Sequence, residues 1–461
     1  MKTHFVAGAA LFCTAFSAQA ADLVAKAPTI KAPMLAAYDW SGFYIGLNAG
    51  IGVARDKTNL VGINGDSLNT THLAPQGALG GGQIGYNWQT ASIFGPLVLG
   101  VEADIQGADM RDDYTSLRIG QTTAYNQKLD WFGTVRGRIG RVNGPVLRYV
   151  TAGYAYGRVN TTLSQGAAGD FAFSGMRSGW TYGSGLEAAI GGNWTAKIEY
   201  LYVNLGDHSD RFDFDDQTLN SNVREHIYRA GLNYRIGGTP AVAPEATANW
   251  AGLYVGGNVG RGVARNRSSF VGTGANEFFY LSPEGVLGGV QAGYNWQAAN
   301  WVVGVEADIQ ASSQRDDDTC IVRCVARQNA FYDAKLPWFG TVRGRLGYAL
   351  GSTLFYGTAG YAYGGVKTSI DLRVTPPFGG TFSSTNSGWT AGGGIETPFS
   401  FAGLFGPNWT SKSEYLYVDL GSTADTLIVS NRPVAVTTSV KEHIFRTGLN
   451  YHFNSPVIAK Y

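Results

Sequence analysis

The chain has 461 residues, of which 15% are charged, and its formal net charge of +1 gives no reason to expect binding to nucleic acid or another polyanion. It is rich in glycine (64 residues) and tyrosine (25), a composition that favours strands over helices. After the N-terminal segment, no apolar run approaches the roughly 20 residues that a membrane helix needs, so no such helix is expected.

The N-terminus has the pattern of a secretory signal. Basic Lys2 is followed by an apolar run over residues 5–16 and by an Ala-x-Ala site that ends at Ala20. This pattern predicts a signal peptide over residues 1–20, cleaved after export. Residues 21–38 have no hydrophobic period, so we expect a flexible extension there.

The rest of the chain is a tandem duplication of one long unit. Trp40-Ser41-Gly42-Phe43-Tyr44-Ile45-Gly46 returns about 210 residues later as Trp250-Ala251-Gly252-Leu253-Tyr254-Val255-Gly256. A single duplication of this length is not a solenoid, whose repeats are far shorter. The predicted segments are unit 1 at 39–236, a Pro-containing linker at 237–248, unit 2 at 249–453 and a C-terminal tail at 454–461.

Each unit closes on the same strand-like stretch, Glu-His-Ile-aromatic-Arg-x-Gly-Leu-Asn-Tyr, at 225–234 and 442–451. In the first copy Tyr228 and Leu232 alternate with Arg229 and Asn233, and such alternation over about ten residues predicts a strand. Apolar residues outside, polar residues inside and aromatic residues near both ends are typical of a transmembrane barrel strand.

Eight such segments occur in each unit, and their connections alternate between short and long. Short periplasmic turns and long external loops are typical of a transmembrane barrel. The long connections of unit 1 lie near 54–78, 108–127, 159–177 and 206–223. The predicted fold class is therefore all-β, an antiparallel up-and-down transmembrane barrel in two tandem eight-stranded units. The alternative is one 16-stranded barrel, formed if the two units re-pair their edge strands.

Charged residues fall on the face of the predicted strands opposite the apolar one. In unit 1 they are Glu102, Asp104, Asp130, Arg136, Arg138, Glu187, Lys197, Glu199, Arg229 and Arg235. Unit 2 keeps Glu306, Asp308, Arg343, Arg345, Glu396, Lys412, Glu414 and Arg446. An eight-stranded barrel has room only for side chains, so these charges must pair. We interpret them as an internal salt-bridge plug; the alternatives are a proton relay, an ion path or paired catalytic acids.

Two cysteines remain after the signal, Cys320 and Cys324, in a polar loop of unit 2. An oxidising envelope compartment favours a local disulfide between them. The alternative is a pair of free thiols, and metal binding is not expected because no His or third Cys lies near.

The recurring pairs Glu225-His226 and Glu442-His443 are not expected to act together, because adjacent residues of a strand point to opposite faces. We interpret the histidines as rim residues near the external lipid interface. Aromatic residues near predicted strand ends are interpreted as a membrane girdle; they are Trp88, Trp131, Trp180, Trp194 and Tyr202.

Four stretches carry a family resemblance: Trp40–Gly46, Gly85-Tyr86-Asn87-Trp88-Gln89, Glu199-Tyr200-Leu201-Tyr202 and Arg229–Tyr234. They resemble the small outer-membrane β-barrel proteins of alphaproteobacterial type, which include surface immunogenic porin-like and hemin-binding proteins. The resemblance implies an outer-membrane location and contact with outer-membrane lipid and with the barrel-assembly machinery. No resident cofactor is expected from the residues themselves. Hemin is implied as a ligand by the resemblance only, since no residue here matches a binding motif.

Two departures from that family are visible. The unit is duplicated, and unit 1 ends in Ile236 where the family has a terminal aromatic residue, which unit 2 supplies as Phe453.

The expected function is structural and surface-interacting, with variable loops that could meet extracellular or host ligands. The alternatives are a diffusion porin made by both repeats as one 16-stranded channel and an outer-membrane hydrolase. No enzyme activity is expected, because no repeated catalytic constellation is found.

Overall fold

The alternation seen in the sequence forms strands throughout the structure. The computed structural model describes residues 38–62, 67–93, 95–118, 121–166, 169–211, 217–237, 248–272, 275–319, 329–373, 378–401, 405–429 and 432–453. The predicted signal peptide, the linker prolines and the cysteine pair Cys320 and Cys324 lie outside these residues. Within them there is no helix long and apolar enough to cross a membrane.

The described residues of the first half of the molecule form ten strands. They are β1 (Gly42–Ala54), β2 (Asp56–Val61), β3 (Ser67–Leu73), β4 (Gln76–Thr90), β5 (Leu97–Arg118), β6 (Gln121–Asn143), β7 (Val146–Gln165), β8 (Asp170–Gly191), β9 (Trp194–Arg211) and β10 (Thr218–Ile236). β1 is antiparallel to β4 on one side and to β10 on the other, and β4 to β10 pair in order. Strands β1 and β4–β10 therefore close into an eight-stranded barrel, here barrel 1, while β2 and β3 form an additional hairpin against β10.

The second half repeats this arrangement. Its strands are β11 (Gly252–Ala264), β12 (Asn266–Gly272), β13 (Ala275–Leu281), β14 (Glu284–Ala298), β15 (Trp301–Thr319), β16 (Asn329–Leu350), β17 (Thr353–Arg373), β18 (Phe378–Pro398), β19 (Trp409–Val429) and β20 (Arg432–His452). β11 pairs with β14 and with β20, which closes barrel 2 from β11 and β14–β20. β12 and β13 are the matching hairpin, with β12 paired to β20.

These pairings confirm two tandem eight-stranded barrels. The alternative of one 16-stranded barrel is wrong, because the first and last strands of each unit pair with each other. In barrel 1 the register runs from Phe43↔Ile236 to Ala54↔Glu225. Ile236, in place of a terminal aromatic residue, does not prevent this closure.

The predicted long external loops are largely strand. The stretch 108–127 is divided between β5 and β6, and the stretch 54–78 contains the hairpin β2–β3. β6 runs for 23 residues, about twice the roughly 9–11 that a tilted membrane strand needs. Hydrogen bonding thus continues beyond the membrane, where the side chains no longer alternate between lipid and interior and the pattern that predicted strands is lost.

The outer surface of barrel 1 carries the apolar face of the strands. Side chains that remain at least 46% exposed include Leu47, Ile84, Leu99, Val101, Ile105, Val135, Ile139, Val150 and Leu232. Trp88, Trp180 and Trp194 lie exposed toward the ends of this band, as expected for a girdle. Such a surface is stable only in lipid, since soluble proteins rarely expose large continuous apolar patches.

The interior is filled in layers. At the end where the short connections lie, which we take as periplasmic, Trp40 and Trp250 are buried in the mouths of the two barrels. Their backbone N–H groups donate to the side-chain oxygens of Gln89 and Gln297 at 2.8 and 2.6 Å. Toward the external end, barrel 1 is packed with Leu79, Met110, Leu129, Phe132, Val159, Leu201, Val203 and Ile227. Barrel 2 has an equivalent layer of Leu287, Leu336, Phe339, Val366, Leu416, Val418 and Ile444.

Candidate functional site

The charged residues meet between these two layers. Glu102 on β5 is the centre of the cluster in barrel 1. It accepts hydrogen bonds from Lys197 Nζ at 2.9 Å to each carboxylate oxygen, from Tyr44 Oη at 2.8 Å and from Arg136 Nη2. All four side chains are buried, so the low dielectric makes each contact strong and each unpaired charge costly.

A second carboxylate group completes the cluster on the other side of Arg136. Arg136 Nη1 donates to Glu199 Oε1 at 3.0 Å, and its Nη2 to Asp104 Oδ2 at 2.9 Å. Arg229 on β10 joins the same two acids, with its Nε 2.7 Å from Glu199 Oε2 and its Nη2 2.8 Å from Asp104 Oδ2. Strands β5, β6, β9 and β10 are thus linked across the lumen by charge-assisted hydrogen bonds.

The cluster extends toward the periplasmic end through Arg138 and Glu187. Arg138 Nη1 lies 3.0 Å from Glu187 Oε2, and its Nε donates to Asn87 Oδ1 at 2.8 Å. Its guanidinium carbon lies 4.7 Å from the centre of the Tyr44 ring. We call the set Glu102, Asp104, Arg136, Arg138, Glu187, Lys197, Glu199 and Arg229 the belt of barrel 1.

Barrel 2 repeats the belt with the equivalent residues. Lys412 Nζ lies 2.7 Å from Glu306, and Arg343 joins Glu306, Asp308 and Glu414. Arg446 Nη2 lies 2.8 Å from Asp308 and 2.6 Å from Glu414. Arg345 Nη2 lies 2.8 Å from Glu396 Oε2. Two copies that have diverged in their loops have therefore kept one pattern of ion pairs.

Glycine makes room for the tyrosine that reaches the belt. A Cβ on Gly85 would lie 2.2 Å from Tyr44 Oη, and a Cβ on Gly293 2.3 Å from Tyr254 Oη. Each tyrosine lies across its glycine and donates to the belt carboxylate, Tyr254 to Glu306 at 2.8 Å. Any larger residue at either glycine would displace the ring.

Asp130 does not join the belt, and its assignment to the interior is wrong. The pairing of β6 with β7 shifts register between Leu129 and Trp131, so one extra residue turns the side-chain alternation. Asp130 instead lies with Lys128, 2.7 Å away, on the accessible surface. Arg235 does face the interior, where its Nη2 donates to the backbone oxygen of Asp39.

His226 and Tyr202 are also not where the sequence placed them. Neither faces lipid: both are buried between the two barrels. His226 Nδ1 lies 2.9 Å from Tyr200 Oη, and its Nε2 lies 3.1 Å from Glu284 of barrel 2. Its neighbour Glu225 is buried on the opposite side of the strand, inside barrel 1, so the two do not act together.

The barrels contact each other through equivalent surfaces, within one compact unit, Ala37–Lys460. Tyr200 stacks on Phe445 with ring centres 5.9 Å apart, and Tyr228 packs on Tyr415 at 5.1 Å. In the repeat, Tyr200 corresponds to Tyr415 and Tyr228 to Phe445, so the two contacts exchange when the barrels are interchanged. This reciprocity is the sign of a two-fold interface.

The charged rim of the contact has the same reciprocity. Arg55 of barrel 1 binds Asp316 of barrel 2, with its Nε 3.2 Å from Oδ1. Its repeat counterpart Arg265 lies 2.8 Å from Asp112, the counterpart of Asp316. Each aspartate also accepts a backbone N–H of its own barrel at 2.7 Å. The tandem is therefore a paired unit with approximate two-fold symmetry.

No group of His, Cys, Asp or Glu with metal-site geometry occurs among the residues that the structure describes. Comparison with known proteins shows that both halves of the chain match the same family model. The model of the outer membrane protein beta-barrel domain matches residues 8–235 and again 238–453.

The chain belongs to this family of outer-membrane β-barrel proteins. It is similar to the 31 kDa outer-membrane immunogenic protein of Brucella melitensis, with 39% identity over 251 residues that cover 51% of this chain and all of that protein. It is also similar to the 22 kDa outer membrane protein of Rhizobium leguminosarum, with 32% identity over 209 residues, 44% of this chain and 82% of that protein. Neisserial surface protein A covers 42% of this chain and 98% of its own, at 15% identity and a TM-score of 0.22.

Each relative thus matches about half of this chain, the length of one barrel. Family membership makes the chain an outer-membrane protein. The names of these relatives describe outer-membrane and immunogenic proteins and not enzymes.

Proposed function

We propose that this protein has a structural and surface-interaction role in the outer membrane, with two closed barrels that anchor external loops. The observation that carries the proposal is that each lumen is filled at three levels. A buried tryptophan lies at the periplasmic mouth, the belt at the centre and an apolar layer toward the external end.

The belt supports this role better than it supports transport or catalysis. In barrel 1 each of its acids contacts at least one of its cations, with the shortest contact of each acid at 3.0 Å or less. An ion path needs binding sites that a passing ion can enter and leave easily. Here Glu102 is bound by Lys197, Arg136 and Tyr44 together, so release of Lys197 or Arg136 would leave buried charges without full compensation.

The external part of the fold supports contact with the surroundings. Strands such as β5, β6 and β7 extend beyond the apolar band, and the hairpins β2–β3 and β12–β13 add to this external sheet. Connections on a rigid scaffold are where binding functions are usually placed. We propose that partners at the cell surface meet these loops and that the barrel-assembly machinery inserts the chain.

The test uses intact cells that express the full chain or a chain in which the external ends of the strand pairs β7–β8 and β17–β18 are shortened together with their connections. Antibodies raised against intact cells are adsorbed with each strain. We expect the shortened chain to lose most of this recognition while its barrels remain folded and resistant to protease. A matched control with a shortened β4–β5 connection, residues 91–96 at the periplasmic end, should keep it. Equal recognition of all three chains, or recognition only after the cells are broken, would contradict a surface role.

A further inference from the structure

Two grooves flank the contact between the barrels, and they occupy equivalent positions in the repeat. The first, the apolar groove, has a volume of about 1660 Å³ and is lined by Leu47, Leu232, Trp301, Tyr348 and Phe355 among others. The second, the arginine groove, has a volume of about 330 Å³ and is lined by Leu97, Ile139, Arg141, Arg148, Val150 and Phe445 among others. Aligning the repeats places Arg141 at the position of Tyr348 and Arg148 at that of Phe355.

The two arginines lie side by side. Arg141 on β6 is the direct cross-strand partner of Arg148 on β7. Like charges directly opposite each other destabilise a sheet, so an anion bound between the two guanidinium groups would stabilise this pair. Among the described residues, no ion pair includes either of them.

Within the described ranges, the contacts of both arginines are with neutral groups. Arg148 donates to the backbone oxygen of Pro398 at 2.9 Å, to Ser411 Oγ at 3.3 Å and to Thr397 Oγ1. The guanidinium of Arg141 lies over the ring of Phe401, 4.5 Å from its centre. Among the residues that the structure describes, none is a hydrogen-bond partner of its buried Nε and Nη1 atoms. The groove thus holds two positive charges with donors still unused.

The pair lies at the periplasmic end of the apolar band, the level at which lipid headgroups are expected. Arg141 and Arg148 flank the short periplasmic turn between β6 and β7. The next outward residues toward the membrane centre are Ile139 and Val150, which are 48% and 56% exposed. A ligand with an anionic head and an apolar tail could therefore place its head on the guanidinium groups and its tail along Ile139 and Val150.

A second difference between the repeats, in the length of one connection, also lies next to the arginines. The connection between β8 and β9 is short, whereas that between β18 and β19 is longer and contains Phe399 and Phe401. Phe401 covers Arg141, and the ring of Phe399 lies 5.5 Å from the guanidinium of Arg148. The apolar groove has neither the arginines nor this longer connection.

We propose that the arginine groove binds an anionic phospholipid of the periplasmic leaflet, with its phosphate held by Arg141 and Arg148. Guanidinium groups bind phosphate oxygens in paired hydrogen bonds, which suits two arginines in register. A lipid in this groove would contact both barrels, since Ser413, Phe445 and Thr447 of barrel 2 also line it. Anionic lipid would then seal one side of the contact between the barrels.

The test is native mass spectrometry of the full chain, released from mild detergent after equilibration with equal amounts of phosphatidylglycerol and phosphatidylcholine. Each arginine near an anionic headgroup should strengthen binding about fivefold. We expect wild type to retain phosphatidylglycerol preferentially. The variant R141Y/R148F, which carries the residues of the apolar groove, should lose about thirtyfold of that preference.

The matched control is Arg111→Gln, which removes an exposed cation paired with Asp109 on the external part of β5 and should change nothing. If the double variant does not fold, Arg141→Gln is used, and its preference should fall about fivefold. Equal retention of both lipids by wild type, or an unchanged preference in the variants, would overturn the proposal. So would displacement of the lipid by millimolar inorganic phosphate, which would indicate a site for the free ion.

Discussion

The closed interior predicts a specific response to the loss of one charge in the belt. Glu102→Gln keeps the shape of the side chain and its contact with Tyr44, but it leaves Lys197 and Arg136 with less negative charge around them. Both cations are buried, with side chains at most 1% exposed. Removing one partner of a buried ion pair costs about 3–5 kcal/mol, because the remaining charge is uncompensated.

The assay is reversible urea unfolding of the full chain in lipid vesicles, followed by tryptophan fluorescence. We expect Glu102→Gln to lower the free energy of unfolding of barrel 1 by about 3–5 kcal/mol, a factor of about 10²–10⁴ in the equilibrium constant. The equivalent substitution Glu306→Gln should have the same effect on barrel 2, whose belt has the same contacts.

The double variant E102Q/K197M separates charge imbalance from lost packing. It removes one charge of each sign, so the cost should be smaller than that of Glu102→Gln alone. A loss under about 1 kcal/mol for the single variant would be that of an exposed pair and would refute the reasoning. A double variant that is as unstable as the sum of both single variants would refute it as well, since the two charges would then not be coupled.

Three further predictions concern other parts of the molecule. With a protease site inserted between positions 238 and 247, the two barrels should still co-migrate in mild detergent after the chain is cut. The variant R55Q/R265Q should separate them, because each lost charged hydrogen bond contributes about 1.5–3 kcal/mol. Separation of the barrels in the cut but unsubstituted protein would contradict the paired unit. Burial raises the pKa of Asp56, in the external hairpin, well above its usual range, so its contribution to stability is present at low pH and is lost as pH rises through the raised pKa. Asp56→Asn should therefore stabilise the hairpin at pH 8 and flatten its pH dependence in hydrogen exchange, and an unchanged dependence would argue against a buried charge there. Alkylation without reductant should leave Cys320 and Cys324 unlabelled if they form the predicted disulfide, whereas full labelling would show free thiols.

The charged interior residues could be predicted from the sequence because the signal that identifies them, the alternation of side chains along a strand, is local. Arg229 and Asn233 fall on one face of a strand by the two-residue period alone. The need to pair charges in a narrow barrel then groups them with acids from other strands. Asp130 shows where this reasoning fails, because one bulge in β6 reverses the side-chain alternation, and no residue nearby signals it.

The contact between the barrels could not be predicted in the same way. A residue that faces lipid and one that faces a neighbouring barrel are both outward and apolar, so Tyr200 and Tyr228 have the same pattern as the girdle. His226 was the available signal, since a histidine that recurs on the outward face needs a polar partner. That partner, Glu284, lies in the other repeat and is recognisable only once the two barrels are placed together.

The central claim, that both barrels are closed, is tested most directly by single-channel recording of the purified full chain in planar lipid bilayers, with a 16-stranded porin as positive control. With Trp40 and Trp250 at the mouths and a paired belt in each lumen, the two barrels should give no stable conducting level at any voltage that the porin control tolerates. Large, long-lived and ohmic conductance steps comparable to those of the porin would contradict it, since they would require a continuous water-filled lumen.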